Sequence, residues 1–250
     1  MNILAIVPAR GGSKGVPGKN IRPLCGRPLL AYTSEVVNST RSVFGRVILS
    51  TDDKEIALVG EALGLEVPFL RPSELSQDDT PMLPVIKHAL NWAERASGPF
   101  DVVAILQPTQ PLRSASHIHE AVALIGNRQC DSVVSVVALP LHMSPDYVMR
   151  IEDGPQLVPF LDVGTRVIRR QDARPAYVRD GTIYLTKATN VRDNDSLYGR
   201  ICYPMVISGA TSLTIDTEAD WQEAERRLAG HNACATREVG EPSSSRGSGD

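Results

Sequence analysis

The sequence predicts an α/β fold built on a mostly parallel, doubly wound sheet. Short apolar runs alternate with helical patterns from the first residues onward. The runs are continuously apolar, as expected of strands covered on both faces. Strand, helix and strand in succession imply right-handed crossovers and hence parallel pairing. A chain of 250 residues suits one such domain with a small appendage and can bury a substantial core.

The first strand is expected at Ile3–Val7, directly after Met1-Asn2. That stretch is too short, and too weakly charged ahead, for a secretory signal. Further strands are expected at Val47–Ser50, Val102–Gln107, Ser132–Val137, Thr182–Leu185 and Met205–Ile207. Helices are expected at Leu29–Asn38, Lys54–Leu63, Leu83–Arg95, Ala115–Gly126 and Glu218–Leu228. Residues 140–180, rich in Pro, Asp and Arg, break this rhythm and read as an arm or lid. The domain is expected to span 1–230. From His231 the apolar content falls, and 231–250 reads as a disordered tail.

Composition narrows the partners. Lys and Arg total 26 against 29 Asp and Glu, a formal net charge of -3, so a nucleic-acid surface is not expected. An anionic ligand must be met by clustered cations instead. No run approaches the roughly 20 apolar residues of a membrane helix, so no membrane partner is expected. The four cysteines form no C-x-x-C pair, which fits reduced thiols in the cytoplasm. The five histidines have no nucleophile-elbow partner for Ser/His/Asp chemistry.

In parallel sheets ligands bind beyond the carboxyl ends of the strands. The exit of the first strand reads Pro8-Ala9-Arg10-Gly11-Gly12-Ser13-Lys14-Gly15-Val16-Pro17-Gly18-Lys19-Asn20. Glycines let backbone N–H groups form an anion nest, and Arg and Lys neutralise phosphate charge. The spacing fits neither a Walker loop nor a dinucleotide fingerprint.

This loop resembles the A-R-x-x-S-K-G-x-P-x-K-N signature of the acylneuraminate cytidylyltransferases. The resemblance continues through Ser50-Thr51-Asp52-Asp53, Leu70-Arg71-Pro72-Ser73-Glu74-Leu75 and Leu106-Gln107-Pro108-Thr109-Gln110-Pro111-Leu112-Arg113. It resumes at Arg169-Arg170-Gln171-Asp172, Gly181-Thr182-Ile183-Tyr184 and Ile215-Asp216-Thr217. It implies a nucleotidyltransferase (Rossmann-like) sheet with a dimerisation arm, and so a homodimer. The implied reaction is in-line attack by the anomeric hydroxyl of an acidic nonulosonic sugar on the α-phosphorus of CTP, releasing pyrophosphate.

The same resemblance implies residue roles. Arg10, Ser13, Lys14 and Lys19 would meet the triphosphate, with Asn20 and Arg71 beside the nucleotide. Arg71 also fits a surface pair with Glu74. Thr80 and Met82 stand where the family places small residues near the cytidine, and Met82 cannot donate a hydrogen bond. Gln107 would contact ligand, although a polar amide after a strand also fits a cap. Arg113 equally fits an anchor for the following helix. Arg170 would pair with the sugar carboxylate, or belong to an exposed basic turn. Tyr184 would line the sugar pocket, though pattern alone fits a half-buried strand tyrosine. Asp216 would hold Mg²⁺, and Lys19, Arg170 and Asp216 would carry the chemistry.

Two departures bear on specificity. Where many members have Asn-Gly-Ala-Ile-Tyr, this chain has Asp180-Gly181-Thr182-Ile183-Tyr184. Asp180 would then face an acidic sugar unless it meets a cation or an amine, and is read as a sign of a sugar substituent such as an amino group. Where members have Asp-Ile-Asp-Thr, this chain has Thr214-Ile215-Asp216-Thr217. That leaves one carboxylate for Mg²⁺, which suffices alongside phosphates and waters. Two other readings stay open: a cytidylyltransferase for an amino-bearing 3-deoxy-octulosonate sugar, and a catalytically idle nucleotide-binding relative.

Overall fold

A computed structural model describes residues 1–161, 169 and 172–238, with the backbone alone for 231–238. In chain order the elements begin with β1 (Ile3–Pro8), the short strands β2 (Pro23–Leu24) and β3 (Arg27–Pro28), and α1 (Leu29–Ser39). Then follow β4 (Arg46–Ser50), α2 (Lys54–Ala62), α3 (Met82–Ser97), β5 (Val102–Ile105), α4 (Ala115–Asn127) and β6 (Ser132–Ala138). The remainder comprises β7 (Met149–Ile151), β8 (Leu157–Pro159), β9 (Tyr177–Lys187), α5 (Ala188–Asp193), β10 (Cys202–Val206) and α6 (Glu218–Glu238).

A six-stranded sheet runs β10-β6-β9-β5-β1-β4. Pairing is parallel between β1 and β4, β1 and β5, and β10 and β6. Only β9 runs against its neighbours β5 and β6. The reversal matters for the site. The start of β9, not its end, lies at the carboxyl ends of the parallel strands, with Arg179 opposite Val136 and Tyr184 opposite Ile105.

Both sheet faces are covered, as the continuous apolar runs require. Leu30, Val37, Ile56, Ile118 and Ile125 of α1, α2 and α4 pack on one face. Ile86, Leu90, Ala188 and Val191 of α3 and α5 pack on the other. A third cluster joins Val16 of the first loop, Leu24, Leu29, Ile215 and Trp221. Each large side chain buried there contributes about 1.5–3 kcal/mol. That cluster clamps the segment before α6 against the loop after β1.

The expected helices all form. The last one departs most from expectation: α6 runs past Leu228 to Glu238, into the stretch read as disordered. The arm at 140–180 contains the antiparallel hairpin β7–β8. Among the described residues no helix is long and apolar enough to cross a membrane.

Candidate active site

The loop leaving β1 crosses the carboxyl end of the sheet. Arg10, Ser13, Lys19 and Asn20 line a cavity of about 250 Å³ there, together with Arg71, Thr80, Gln107 and Asp216. The approach of loop to Asp216 requires a glycine. A methyl group on Gly15 would lie 2.1 Å from the backbone oxygen of Asp216.

Asp216 is held from behind. Asp220 accepts from the backbone N–H groups of Asp216 (3.0 Å) and Thr217 (2.7 Å), and the Asp220 N–H donates to Thr217 Oγ1 at 3.3 Å. This reciprocal cap starts α6 and fixes the residue just before it. Lys19 Nζ donates to the Ile215 carbonyl at 2.7 Å and reaches Asp216 Oδ1 at 3.2 Å. The Asp216 side chain remains 68% exposed, so its oxygens are available to a cation. Among the described residues no group of three or more His, Cys, Asp or Glu side chains is arranged to hold a metal. A single carboxylate beside phosphate oxygens fits Mg²⁺, which keeps most of its waters.

Arg71 is buried and does not pair with Glu74. Its Nε donates to Ser76 Oγ (3.0 Å), Nη1 to the Ser50 carbonyl (3.3 Å) and Nη2 to Asp52 Oδ1 (3.4 Å). Burial lowers its pKa and the nearby Asp52 carboxylate opposes that shift. Asn20 is also buried, and its amide donates to the Arg10 carbonyl at 2.9 Å, bracing the loop.

Lys14 does not line the cavity. Its ammonium stands at the rim on Asp78, a residue sequence reasoning missed, and Arg10 binds the other Asp78 oxygen. These two cations, Lys14 first, hold the Asp78 carboxyl below its usual range.

Gln107 and Met82 also line a second cavity, of about 320 Å³, with Ile105, Arg179, Tyr184, Leu197 and Tyr198. Tyr184, which the family resemblance sets in the sugar pocket, lines this cavity half-buried, with its phenol pushed up by burial. Arg179 and Tyr198 are additions: the guanidinium donates to the Tyr198 hydroxyl. Arg170 lies outside the described residues.

Gly181 packs closely against Gln107, which lines both cavities. Its φ of +80° favours glycine, and a methyl group would come within 2.5 Å of Gln107 Oε1. Gly181→Ala is expected to cost about 1–3 kcal/mol in backbone strain alone and to displace Gln107. A thermal melt with sugar and CTP KM values checks this. An unchanged melt and unchanged constants would contradict it.

The family described as cytidylyltransferase matches residues 4–148. The CMP-N,N'-diacetyllegionaminic acid synthase of Legionella pneumophila is 35% identical over 91% of this chain and 97% of its own. This chain belongs to the cytidylyltransferase family. The N-acylneuraminate cytidylyltransferase of Escherichia coli is 32% identical over 89% of this chain and 51% of its own, so the chain spans about half of that protein. In fold, the chain is similar to a CMP:2-keto-3-deoxy-manno-octonic acid synthetase solved with CTP. That likeness has a TM-score of 0.69 at 14% identity, over 92% of this chain and 100% of the other.

In this cytidylyltransferase Asp180 turns into the protein. It is buried, and its carboxylate accepts from the Thr182 backbone N–H (3.1 Å) and from the Thr182 hydroxyl. The sequence reading sets Asp180 against the sugar; here its carboxylate turns to Thr182 and lines neither cavity. Its backbone carbonyl accepts from Gln110 Nε2 and, at 2.9 Å, from Thr214 Oγ1. Below lies Arg113, fully buried, donating to the Thr182 carbonyl (2.6 Å), Thr33 Oγ1 (2.9 Å) and the Gln107 carbonyl (2.6 Å). Burial lowers its pKa to about 9, and the Asp180 charge opposes that fall.

Proposed function

We propose that this cytidylyltransferase joins CTP to an acidic nonulosonic sugar, giving a CMP-sugar and pyrophosphate. The observation that carries the reading is the meeting of two cavities at Gln107 and Met82. One holds Arg10 and Lys19 of the first loop; the other is walled by Tyr184 and Tyr198 and carries Arg179. A triphosphate in the first and an acidic sugar in the second would bring the anomeric hydroxyl to the α-phosphorus at their junction. Relatives that share most of the chain are named for such sugars.

The chain's own groups would act as follows. Lys19 and Arg10 neutralise charge that develops on the phosphate oxygens as pyrophosphate departs, prepositioned donors being the main source of such stabilisation. Gln107 orients the junction, and Arg179 supplies a cation for the anionic sugar. Asp216 would hold Mg²⁺, which when bound supplies further neutralisation of the phosphates. Inward-facing Asp180 removes the ground for requiring an amine on the sugar.

The test is pyrophosphate release from CTP with N-acetylneuraminate, diacetyllegionaminate and 3-deoxy-manno-octulosonate. Turnover is expected with a nonulosonic sugar. Turnover with the octulosonate alone would overturn the sugar class, and CTP binding without any turnover would indicate an idle relative.

The working form is proposed to be a homodimer in the cytoplasm. The hairpin β7–β8 and the residue after it turn Ile151, Leu157 and Phe160 outward at 76%, 63% and 55% exposure. Apolar groups gathered on one projecting arm suit a partner surface, and a second copy is the partner implied by the family's arm. The free thiols of Cys25, Cys130 and Cys202 accord with a reducing compartment. Ile151→Asp is expected to shift the protein toward monomer in sedimentation experiments. A wild-type protein already monomeric at micromolar concentration would refute the dimer.

A further inference from the structure

Two cations of the phosphate loop are paired on one carboxylate of the protein itself. Arg10 donates to one oxygen of Asp78 and Lys14 to the other. Asp78 lines the same cavity as Arg10, Ser13 and Lys19. A carboxylate bridging a guanidinium and an ammonium offers them what two phosphate oxygens would offer: charge-assisted acceptors. The segment carrying Asp78 is tied down on the nucleotide side. Arg71 Nε donates to Ser76 Oγ, Ser76 Oγ donates to the Pro72 carbonyl, and Thr80 lines the cavity.

We propose that Asp78 is a positioning residue that stands in for phosphate, keeping Arg10 and Lys14 together in the free enzyme and giving way to the triphosphate as CTP binds. Without it the two cations would repel each other across an open loop. With it, the incoming triphosphate must displace an internal anion. The contacts are solvent-facing: the side chains of Arg10, Lys14 and Asp78 are 33%, 82% and 37% exposed. Such pairs are individually weak and readily exchanged. An enzyme that must also release pyrophosphate is served by the same exchange in reverse. The proposal rests on the CTP reading above, and its test separates the two.

The probe is inorganic tripolyphosphate, followed by CTP, titrated calorimetrically into the full chain without divalent metal. Asp78→Asn removes the competing charge; Asp79→Asn removes an equal charge one residue along, at an exposed position. Asp78→Asn is expected to tighten tripolyphosphate by about three- to tenfold, the scale of one or two exposed ion pairs. Asp79→Asn should shift it far less, because solvent screens charges not in contact. KM for CTP should fall in Asp78→Asn without a rise in kcat, and Asp78→Ser should move affinity the same way. Affinity that weakens or stays put in both Asp78 variants overturns the stand-in role, as does equal tightening by Asp79→Asn. Wild-type protein that binds neither tripolyphosphate nor CTP overturns the nucleotide reading itself, whatever the variants do.

Discussion

Asp216→Asn is expected to lower kcat at saturating CTP and sugar by about a hundred- to a thousandfold, the range seen when one prepositioned charge-stabilising group is removed. Asp216 is exposed at the cavity wall, fixed in place by Asp220 and Thr217 ahead of α6. The amide can still accept from Lys19, so the loop should keep its shape. What is lost is the negative charge that would hold Mg²⁺ against the phosphates. Metal-free affinity for CTP should therefore survive, or improve slightly, because an anion beside the triphosphate has gone. Pyrophosphate release across a magnesium titration reads the first effect, and calorimetry in chelator reads the second. Activity within tenfold of wild type at unchanged magnesium dependence would remove Asp216 from the metal. Loss of metal-free CTP binding would instead make it a brace for the loop.

Much of this site was legible because its residues sit at strand exits. The apolar run Ile3–Val7 and the cations behind it locate the phosphate loop without any tertiary knowledge, and Gln107 follows the same logic after β5. The start of α2 at Lys54 was legible from its helical pattern alone, and in the structure Asp53 caps it, accepting from the Glu55 and Ile56 N–H groups. The direction of β9 was not. A strand that returns from an irregular excursion carries no local mark of its orientation. Strand-exit reasoning therefore misses Arg179, which lies at the entering end of β9. Asp78 was illegible for a related reason: it sits in a polar run, and its partner Arg10 is 68 residues away. The six-residue helix α5 has too few turns to show a period.

The departures from the family pattern become coherent once their contacts are known. Asp180 replaces an amide and Thr182 replaces an alanine, and the two side chains bond to each other. Thr214 replaces a carboxylate and donates to the Asp180 carbonyl, which Gln110 also reaches. Read singly, each change pointed toward the ligand, one to a sugar amine and one to a missing metal carboxylate. Read together they form one internal network beneath the cavities, with Asp180 as its charge. What that charge offsets is Arg113.

Arg113→Met should be the most destabilising of these substitutions, by about 3 kcal/mol or more, since each buried acceptor left unmet costs about 1–3 kcal/mol. The guanidinium is wholly buried and spans three elements: it donates to Thr33 of α1, to Thr182 of β9 and to the Gln107 carbonyl after β5. A thioether of similar length fills the space but donates to none of the three, leaving their buried acceptors unmet. Arg113→Lys should recover little, because an ammonium cannot reproduce the planar fork. The expected signature is a fall in the urea midpoint, with KM for the sugar rising in the surviving folded protein as Gln107 loosens. Because Asp180 also bonds Thr182, Asp180→Asn should cost much less than Arg113→Met, an amide being able to keep the Thr182 N–H contact. An unfolding free energy for Arg113→Met, from its urea midpoint and slope, within about 1 kcal/mol of wild type would mean the guanidinium is not the tie between these elements.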